Sequence, residues 1–443
     1  MAFDLRSAFG LRAQSRMAIV GAGGKSSLLF RLARAWGNPV LLGNSAHLGV
    51  EQQFLADRAF AVPERADVPE FPDGLPEGCT LLHGGAIPDR RRLRALDAET
   101  LDALDRLAGR LGAPLLFESD GSRMLALKAP AAWEPPVPWF CNQVSVVAGL
   151  SGLGLALSEE SVYRAETFSH LSGLAIGSSI TSEALSAVLC HPQGGLKNIP
   201  AGAERIVCLH QADLPGRREA GDRMAFQLLT CFDRVVVAAL HGPGPDGPPP
   251  ELFSVWRPAA GIVLAAGEGK RFGGPKQLLE WEGDPLVRRA ARAALEAGLN
   301  PVRVVVGAQG EAVRAALVGL QVEVVDNPDW SEGQSTSMRA GLAGLPQRVG
   351  AAVFLLADQP YVGSDVIQAV WTRHAHSGAQ AVAPWVDGRR ANPVLFDRSA
   401  FDALHSVRGD QGGRAVLGTL RMERVEWADR RIIFDIDTPD DAP

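Results

Sequence analysis

GIVLAAGEGKRFGGPKQLL, spanning Gly261–Leu279, starts as an apolar run and ends as a glycine turn carrying three basic residues. The run from Ile262 to Ala266 is short, β-branched at its start and closed by turn residues, which reads as a strand buried on both faces. Gly267, Gly269, Gly273 and Gly274 let the backbone fold tightly and aim N–H groups at an anion, while Lys270, Arg271 and Lys276 add fixed positive charge. A dinucleotide fingerprint requires G-x-G-x-x-G, and Phe272 stands where the third glycine belongs; no Gly-Lys-Ser/Thr follows, so a P-loop is not supported at this point. Outward from this segment, VRVVV from Val302, VEVV from Val322, VFLLA from Val353 and IIFDI from Ile432 read as further strands alternating with helical patterns. The first of those helices has Asp284 as a fitting N-cap, Pro285 at its first position and an apolar stripe of Leu286, Val287, Ala290 and Ala294. Alternation of this kind predicts an α/β fold, a largely parallel sheet with helices on both faces.

LAAG-x-G-x-RFG-x-PK resembles the opening of nucleotidyltransferases that activate a phosphorylated partner with an NTP. Within that group it is most similar to the MocA-like molybdenum cofactor cytidylyltransferases. Their further motifs follow in order: GQSTSMRAGL from Gly333, LLADQP from Leu355, NPVLF from Asn392, GDQGGRAVL from Gly409 and DIDTPDD from Asp435. The guanylyltransferase relatives would read LAGG and end the loop in Asp-Lys, whereas this chain has Ala265-Ala266-Gly267 and Pro275-Lys276. The resemblance implies a Rossmann-like nucleotidyltransferase domain with CTP as substrate and molybdopterin-bound molybdenum as acceptor. Ala391, ahead of Asn392-Pro393, departs from the glycine expected on the acceptor side.

The resemblance makes Arg271, Lys276 and Asp358 the candidate catalytic residues, and Ala265, Ala266, Gly267, Gly269 and Lys276 the nucleotide loop. Asp358 follows VFLLA and Asp437 follows IIFDI, so each is expected at the carboxyl end of a buried strand, where two carboxylates can hold one Mg²⁺ through hard oxygen ligation. With the metal absent, the pair would repel. Each aspartate could instead cap the helix after its strand, and Asp435 shares a strand face with Asp437, so the two could exchange roles. Gly333, Gln334 and Ser335 are candidates for meeting the base, with a helix cap by Ser335 or Ser331 as the alternative. His374 and His376 lie two apart on a helical pattern, pointing to different faces, and read as solvated residues rather than metal ligands.

The first half also runs from a strand, MAIV, into a glycine turn, VGAGGKSS at Val20–Ser27, and then into the apolar helix SLLFRLARAW. Gly21, Gly23, Gly24, Lys25 and Ser26 have the mechanics of a phosphate loop: backbone N–H groups, a lysine for phosphate and a hydroxyl for Mg²⁺. The short form G-x-x-G-K-S/T resembles the loop of Mur-type ligases. FESDGSRMLALKAP from Phe117, EPPVP from Glu134, YRAETF from Tyr163 and HPQGGLKNIPAGAERI from His191 resemble the YqeC-like family over Ala18–Leu240. That family is an accessory of selenium-dependent molybdenum hydroxylases, so the resemblance implies a P-loop-like accessory domain and a hydroxylase apoenzyme as a further partner. Glu118 and Asp120 end a buried strand, which makes Asp120 a second candidate carboxylate for Mg²⁺, and Lys128 could add charge for phosphate. Two departures bear on nucleotide chemistry: GNSAHLG from Gly43 replaces a threonine run, and His210-Gln211-Ala212-Asp213 replaces Asn-Lys-x-Asp.

The chain of 443 residues predicts two or three domains at about 150 residues each. GPGPDGPPP at Gly242–Pro250 is the plainest boundary. It sets domains at 1–241 and 259–443 with a Pro/Gly-rich linker at 242–258. Lys plus Arg number 44 against 50 Asp plus Glu, a net charge of -6 that argues against a general nucleic-acid binder, so any anion must be met locally. Five cysteines without a CxxC pair, and an N-terminus without a signal-type apolar region, place the protein in the cytoplasm. The uncharged stretch 135–158 contains three prolines and a glycine run, which reads as a buried strand and turn rather than a membrane span. These readings lead to a CTP:molybdenum cofactor cytidylyltransferase that releases pyrophosphate. Its alternatives are a nucleotidyltransferase for another phosphorylated acceptor, such as a sugar phosphate, and a non-catalytic cofactor chaperone.

Overall fold

The computed structural model describes residues 3–37, 39–62, 68–88, 90–244, 247–269 and 272–441. The chain forms two compact units that meet in sequence at Trp256 and Arg257, each built on its own sheet.

Among the described residues the main sheet of the first unit has nine strands: β1 Arg16–Gly21, β2 Val40–Asn44, β3 Arg58–Ala61, β4 Cys79–His83, β5 Leu115–Glu118, β6 Gln143–Gly149, β7 Glu204–His210, β8 Arg234–Ala239 and β9 Glu251–Trp256. Their order is β9-β8-β7-β6-β1-β5-β2-β4-β3, with every pairing parallel except the antiparallel β8–β9 edge. Helix α1, Lys25–Trp36, starts directly at the end of the glycine turn after β1. Every residue of β6 is buried, which is why the stretch 135–158 reads as apolar and uncharged: a central parallel strand is covered on both faces. Among the described residues no helix is long and apolar enough to cross a membrane.

Residues 251–256, which the composition assigns to the linker, form β9 at the edge of this sheet. What holds β9 there is tertiary. Trp256 is fully buried, its ring lies 4.8 Å from that of Phe226, and its indole N–H donates to Asp222 Oδ1 at 3.0 Å. Phe226 and Asp222 both belong to helix α2, Pro215–Leu228.

In the second unit the strands of the main sheet are β10 Ala259–Ala265, β11 Val302–Val306, β12 Glu323–Asp326, β13 Ala351–Leu356, β14 Ala381–Val386, β15 Arg389–Arg390, β16 Val394–Asp397 and β17 Met422–Glu426. The sheet runs β12-β11-β10-β13-β16-β14-β15, with β17 on the other edge of β14. Pairings β12–β11–β10–β13 are parallel, and β16 enters antiparallel to both β13 and β14. Helices α3 Leu286–Glu296, α4 Gln334–Leu342 and α5 Ser364–Ser377 pack against it.

Three local expectations differ from the structure. IIFDI is not a strand: Arg430–Ile433 is a 3₁₀ turn, with Asp429 accepting from the Arg431 N–H at 2.9 Å, and an extended tail follows. Among the described residues no strand pairs with this segment, and its burial comes from side chains, Ile436 packing with Trp281 and Leu286. Asp284 does not cap α3. It is spent on guanidinium groups, accepting from Arg292 at 2.6 Å and pairing with Arg288. His374 is buried rather than solvated, because Asp397 at the end of β16 meets its Nε2 at 3.1 Å.

Because β9 is fastened by one buried indole, Trp256→Ala should destabilise the first unit by about 3–5 kcal/mol, the usual cost of emptying a large aromatic site. Urea denaturation followed by circular dichroism measures this, and a loss under 1 kcal/mol would mean that β9 is held by its backbone ladder alone.

Candidate active site

At the carboxyl ends of β10 and β13 the second unit opens a cleft of about 880 Å³. Its walls include Ala265, Ala266, Gly267 and Gly269 from the loop after β10, Gly333 and Gln334 at the start of α4, and Lys276, Asp358 and Asp437. The loop is closed on itself: the N–H groups of Phe272 and Gly273 both donate to the Gly269 carbonyl at 3.0 Å. Gly269 has φ +73°, and a Cβ there would collide with the Gly274 carbonyl oxygen, so only glycine closes this turn. Arg271, a candidate catalytic residue, and its neighbour Lys270 lie outside the described residues.

Lys276 sits between the two carboxylates. Its Nζ pairs with Asp358 Oδ2, lies 3.4 Å from Asp437 Oδ1 and donates to the Ile436 carbonyl at 3.2 Å. Burial opposes the charge on Lys276, but Asp358 and then Asp437 outweigh it and hold the ammonium above the ordinary lysine range. Repulsion between a bare pair of carboxylates is therefore relieved by the lysine without any metal. Asp435 is engaged differently, accepting from Gln359 Nε2 at 2.6 Å. Burial raises its pKa, the Gln359 bond opposes the rise, and Asp358 and Asp437 add to it.

These three residues come from distant parts of the chain, and an apolar cluster beside them brings them together. Trp281, Leu286 and Ile436 pack with Leu279, Tyr361 and Phe434, so the segments leaving Lys276, Asp358 and Asp437 share one small core. The Ile436 N–H donates to the Asp358 carbonyl at 3.1 Å, which laces the tail to the end of β13.

A divalent cation fits part of this donor set. Asp358 Oδ1 is buried without a hydrogen-bond partner, Asp358 and Asp437 both line the cleft, and both offer hard oxygen. Among the described residues no group of three or more His, Cys, Asp or Glu side chains gathers for a metal, so phosphate and water oxygens would complete the coordination.

Along α4 the cleft is lined by Gln334 and Ser337, one turn apart on the same face. Ser335 points away, 1% exposed, and its hydroxyl accepts from Arg339 at 3.5 Å. Trp330 and Arg414 also line the cleft, and neither was singled out from sequence. Trp330 sits three residues before Gly333 of the GQSTS motif, and a large flat ring so close to it was the available signal.

In the first unit, the glycine turn after β1 is closely covered. Gly24 has φ +137°, and a Cβ there would run into the His210 ring, so the imidazole lies directly against the loop. Burial depresses the His210 pKa to about 4, leaving the ring neutral at physiological pH. Lys25 donates to the Gly21 carbonyl at 3.0 Å and lies 3.4 Å from Asp120 and 4.0 Å from Glu118, while Ser26 donates to Glu118 at 2.9 Å. Asp120 accepts from the Gly21 N–H at 3.0 Å and from Lys128 at 2.8 Å. Gly23 meets the backbone of Ala126 and Gly149. Lys128 continues to Glu134 at 2.9 Å, and Arg164 closes the chain on Glu134 at 2.7 Å. The groups expected to meet phosphate are thus engaged with carboxylates, and Lys128 serves this buried network.

Residues 261–425 match the MobA-like NTP transferase domain, and residues 17–166 match the YqeC protein family. The chain is 32% identical to the uncharacterized protein YqeC of Escherichia coli K12 over 207 residues, covering 44% of this chain and 77% of that protein. It is 33% identical to the nicotine blue oxidoreductase of Paenarthrobacter nicotinovorans over 187 residues, 40% of this chain and 91% of that one. To the molybdenum cofactor cytidylyltransferase of Escherichia coli K12 it is 26% identical over 182 residues, 41% and 91% of the two chains. A glycine loop at the carboxyl end of a parallel α/β sheet, with these matches, puts the second unit in the nucleotidyltransferase class. The chain belongs to the YqeC family through its first unit and to the MobA-like NTP transferase family through its second.

The buried network of the first unit has a pH signature. Burial works to raise the Glu134 pKa, yet Lys128 and then Arg164 overcome it and hold the carboxyl below the ordinary 4.5. A lowered folded-state value means that Glu134 contributes its stability above about pH 4.5 and loses it as pH falls through the folded-state pKa. Glu134→Gln should therefore flatten the acid limb of stability against pH in urea titrations. Lys128→Met removes one cation from buried Asp120 and half-buried Glu134 while Lys25 and Arg164 remain, and should cost about 1–3 kcal/mol at neutral pH. An unchanged acid limb in Glu134→Gln would place the acid-sensitive group elsewhere.

Proposed function

We propose that the second unit transfers CMP from CTP to the phosphate of molybdopterin-bound molybdenum, serving the maturation of a molybdenum hydroxylase. The observation that carries this reading is the lysine clasped by two aspartates at the mouth of a glycine-loop cleft. In the transfer, an oxygen of the acceptor phosphate forms a bond to the α-phosphorus of CTP. The bond from that phosphorus to the bridging oxygen breaks, and pyrophosphate leaves with its electron pair. In this reading glycine-loop N–H groups and the Lys276 ammonium meet phosphate charge as it builds, the kind of fixed electrostatic stabilisation that accounts for much of such catalysis. Gln334 and Ser337 offer hydrogen-bonding edges and Trp330 a flat face for the base. Mg²⁺, held by Asp358 and Asp437, would neutralise triphosphate charge. The first unit acts as an accessory module whose glycine loop takes a nucleotide or the cofactor on one side of the cytidylyl step.

A second reading is favoured by one comparison. The relative named nicotine blue oxidoreductase is more similar to this chain than the cytidylyltransferase is, so an oxidoreductase is the competing activity. Against it stands the loop, which lacks G-x-G-x-x-G.

Supplied with molybdopterin-bound molybdenum, the chain should release pyrophosphate from CTP in preference to GTP. Loss of reduced-nicotinamide absorbance without pyrophosphate would support the oxidoreductase instead. Lys276→Ala should lower kcat by about 10²-fold or more. Asp358→Ala and Asp437→Ala should each abolish turnover, with the double variant scarcely worse than either. Lys25→Ala should leave pyrophosphate release nearly unchanged. If Asp437→Ala stays active while Asp435→Ala does not, Asp435 is the second carboxylate.

A further inference from the structure

Beside the nucleotide cleft lies a second chamber of about 570 Å³, and the two share Leu264, Gln334, Leu356, Asp410 and Arg414 as a common wall. One side of the chamber is apolar, with Met338, Phe354, Phe396 and Leu417. The other carries two guanidinium groups, Arg390 from β15 and Arg414 from the short helical turn Arg414–Leu417.

Arg390 is half-buried and Arg414 exposed, and both differ in their partners from other arginines of the unit. Arg303 is paired with Glu323 at 2.8 Å, Arg292 with Asp284 at 2.6 Å, and Arg398 donates to the Val349 carbonyl at 2.8 Å. Among the described residues, Arg390 and Arg414 have no carboxylate within ion-pairing distance and no hydrogen-bond acceptor. Asp410, which lines the same chamber, is taken by the Gln334 backbone N–H at 3.3 Å. Burial and then the Arg414 charge both lower the Arg390 pKa, so the two cations feel each other. Two like charges facing one chamber without a counter-charge repel, and an anion placed between them relieves that repulsion. A phosphomonoester dianion is the anion whose charge and oxygen geometry match two such forks.

We propose that this chamber is the acceptor site, with Arg390 and Arg414 gripping the phosphate of a phosphomonoester while its ring system lies against Met338, Phe354 and Phe396. The inference rests on the cleft being the NTP side of the reaction. Placed so, the acceptor phosphate reaches the nucleotide across the wall formed by Leu264, Gln334 and Leu356. The arginine pair selects for a dianion, and the apolar side selects for a flat, weakly polar body over a hydrated sugar.

Arg390 lines the second chamber alone, so Arg390→Gln in the full chain separates the two sites. It should raise the KM for molybdopterin-bound molybdenum by about 10-fold or more, the usual loss for a charge-assisted contact, and leave the Kd of CTP unchanged. Arg390→Lys should recover part of that loss. Inorganic phosphate should compete with the acceptor and not with CTP in the wild-type chain, and this competition should weaken in Arg390→Gln. An unchanged acceptor KM, or a CTP Kd that weakens in step with it, overturns the assignment. If the wild type gives no pyrophosphate at all, the cytidylyltransferase reading falls, and direct phosphate binding then decides the chamber. Binding lost in Arg390→Gln keeps the anion site, and no binding to the wild type removes it. Should Arg390→Gln fail to fold, as a thermal melt would reveal, the Lys variant and the competition pattern carry the same decision.

Discussion

One ammonium group allows three carboxylates to gather at a single sheet end. Asp358, Asp435 and Asp437 approach one another closely enough that Asp435 titrates high, partly because of the other two. Without Lys276 the same arrangement would carry uncompensated like charges in a half-buried cleft. Its position follows from packing. The loop that bears it returns through Leu279 to the cluster of Trp281, Leu286 and Ile436, which also fixes the residues after Asp358 and before Asp437. The apolar contacts bring the charges together, and the charge balance lets the apolar contacts form. For a ligand this balance is poised, since a triphosphate adds negative charge and a divalent cation adds positive charge. Lys276 can then exchange a carboxylate oxygen for a phosphate oxygen at little electrostatic cost.

The first unit applies a similar device with a different outcome. Lys25 and Lys128 compensate Glu118, Asp120 and Glu134, but here the network is covered. Lys25, Asp120 and Lys128 are each under a tenth exposed, whereas the Lys276 side chain is a quarter exposed. Burial raises the Glu118 pKa in spite of Lys25, which is the sign of a carboxylate held away from water. A ligand entering this loop would have to open it, moving His210 from Gly24 or breaking the bond from Ser26 to Glu118. The substitution of His210-Gln211 for an Asn-Lys pair thus has a structural consequence beyond a lost base contact: it places a neutral ring on the loop.

Strands β1, β6, β10, β11 and β13 could be read from sequence because each lies inside a sheet covered on both faces and is apolar on both. β9 could not, since ELFSVW follows a proline run and its inward residues, Ser254 and Trp256, are chosen by Asp222 on α2, a contact that local pattern does not carry. The IIFDI segment misled for the opposite reason: its alternating apolar residues are buried by a side-chain cluster, with no strand paired to them among the described residues. Even so, Asp437 reaches Lys276, because the backbone bond from Ile436 to Asp358 does the work of a strand pairing. Ser335 and Ser337 show the limit of reading a motif on a helix. Both stand in GQSTS, and only the helical phase decides that Ser337 faces the cleft and Ser335 the core. Arg390 and Arg414 lie 24 positions apart on two short elements, and nothing in composition brings them together.

Relatives of the second unit carry names as different as an oxidoreductase and a cytidylyltransferase, so the shared sheet and glycine loop do not by themselves fix the chemistry. A loop of backbone N–H groups beside a lysine will accept any phosphate-bearing nucleotide, since it recognises charge and shape common to all of them. Discrimination has to come from groups that only one partner can satisfy. In this unit those groups lie beyond the loop: the amide and hydroxyl of Gln334 and Ser337 toward one ligand, and the arginine pair with its apolar facing wall toward the other. Facing two guanidinium groups to one chamber without a counter-charge costs some like-charge repulsion, in contrast to the ion pairs made by Arg292 and Arg303. That cost sits in the chamber where relatives with a common loop would have to differ if they are to act on different molecules.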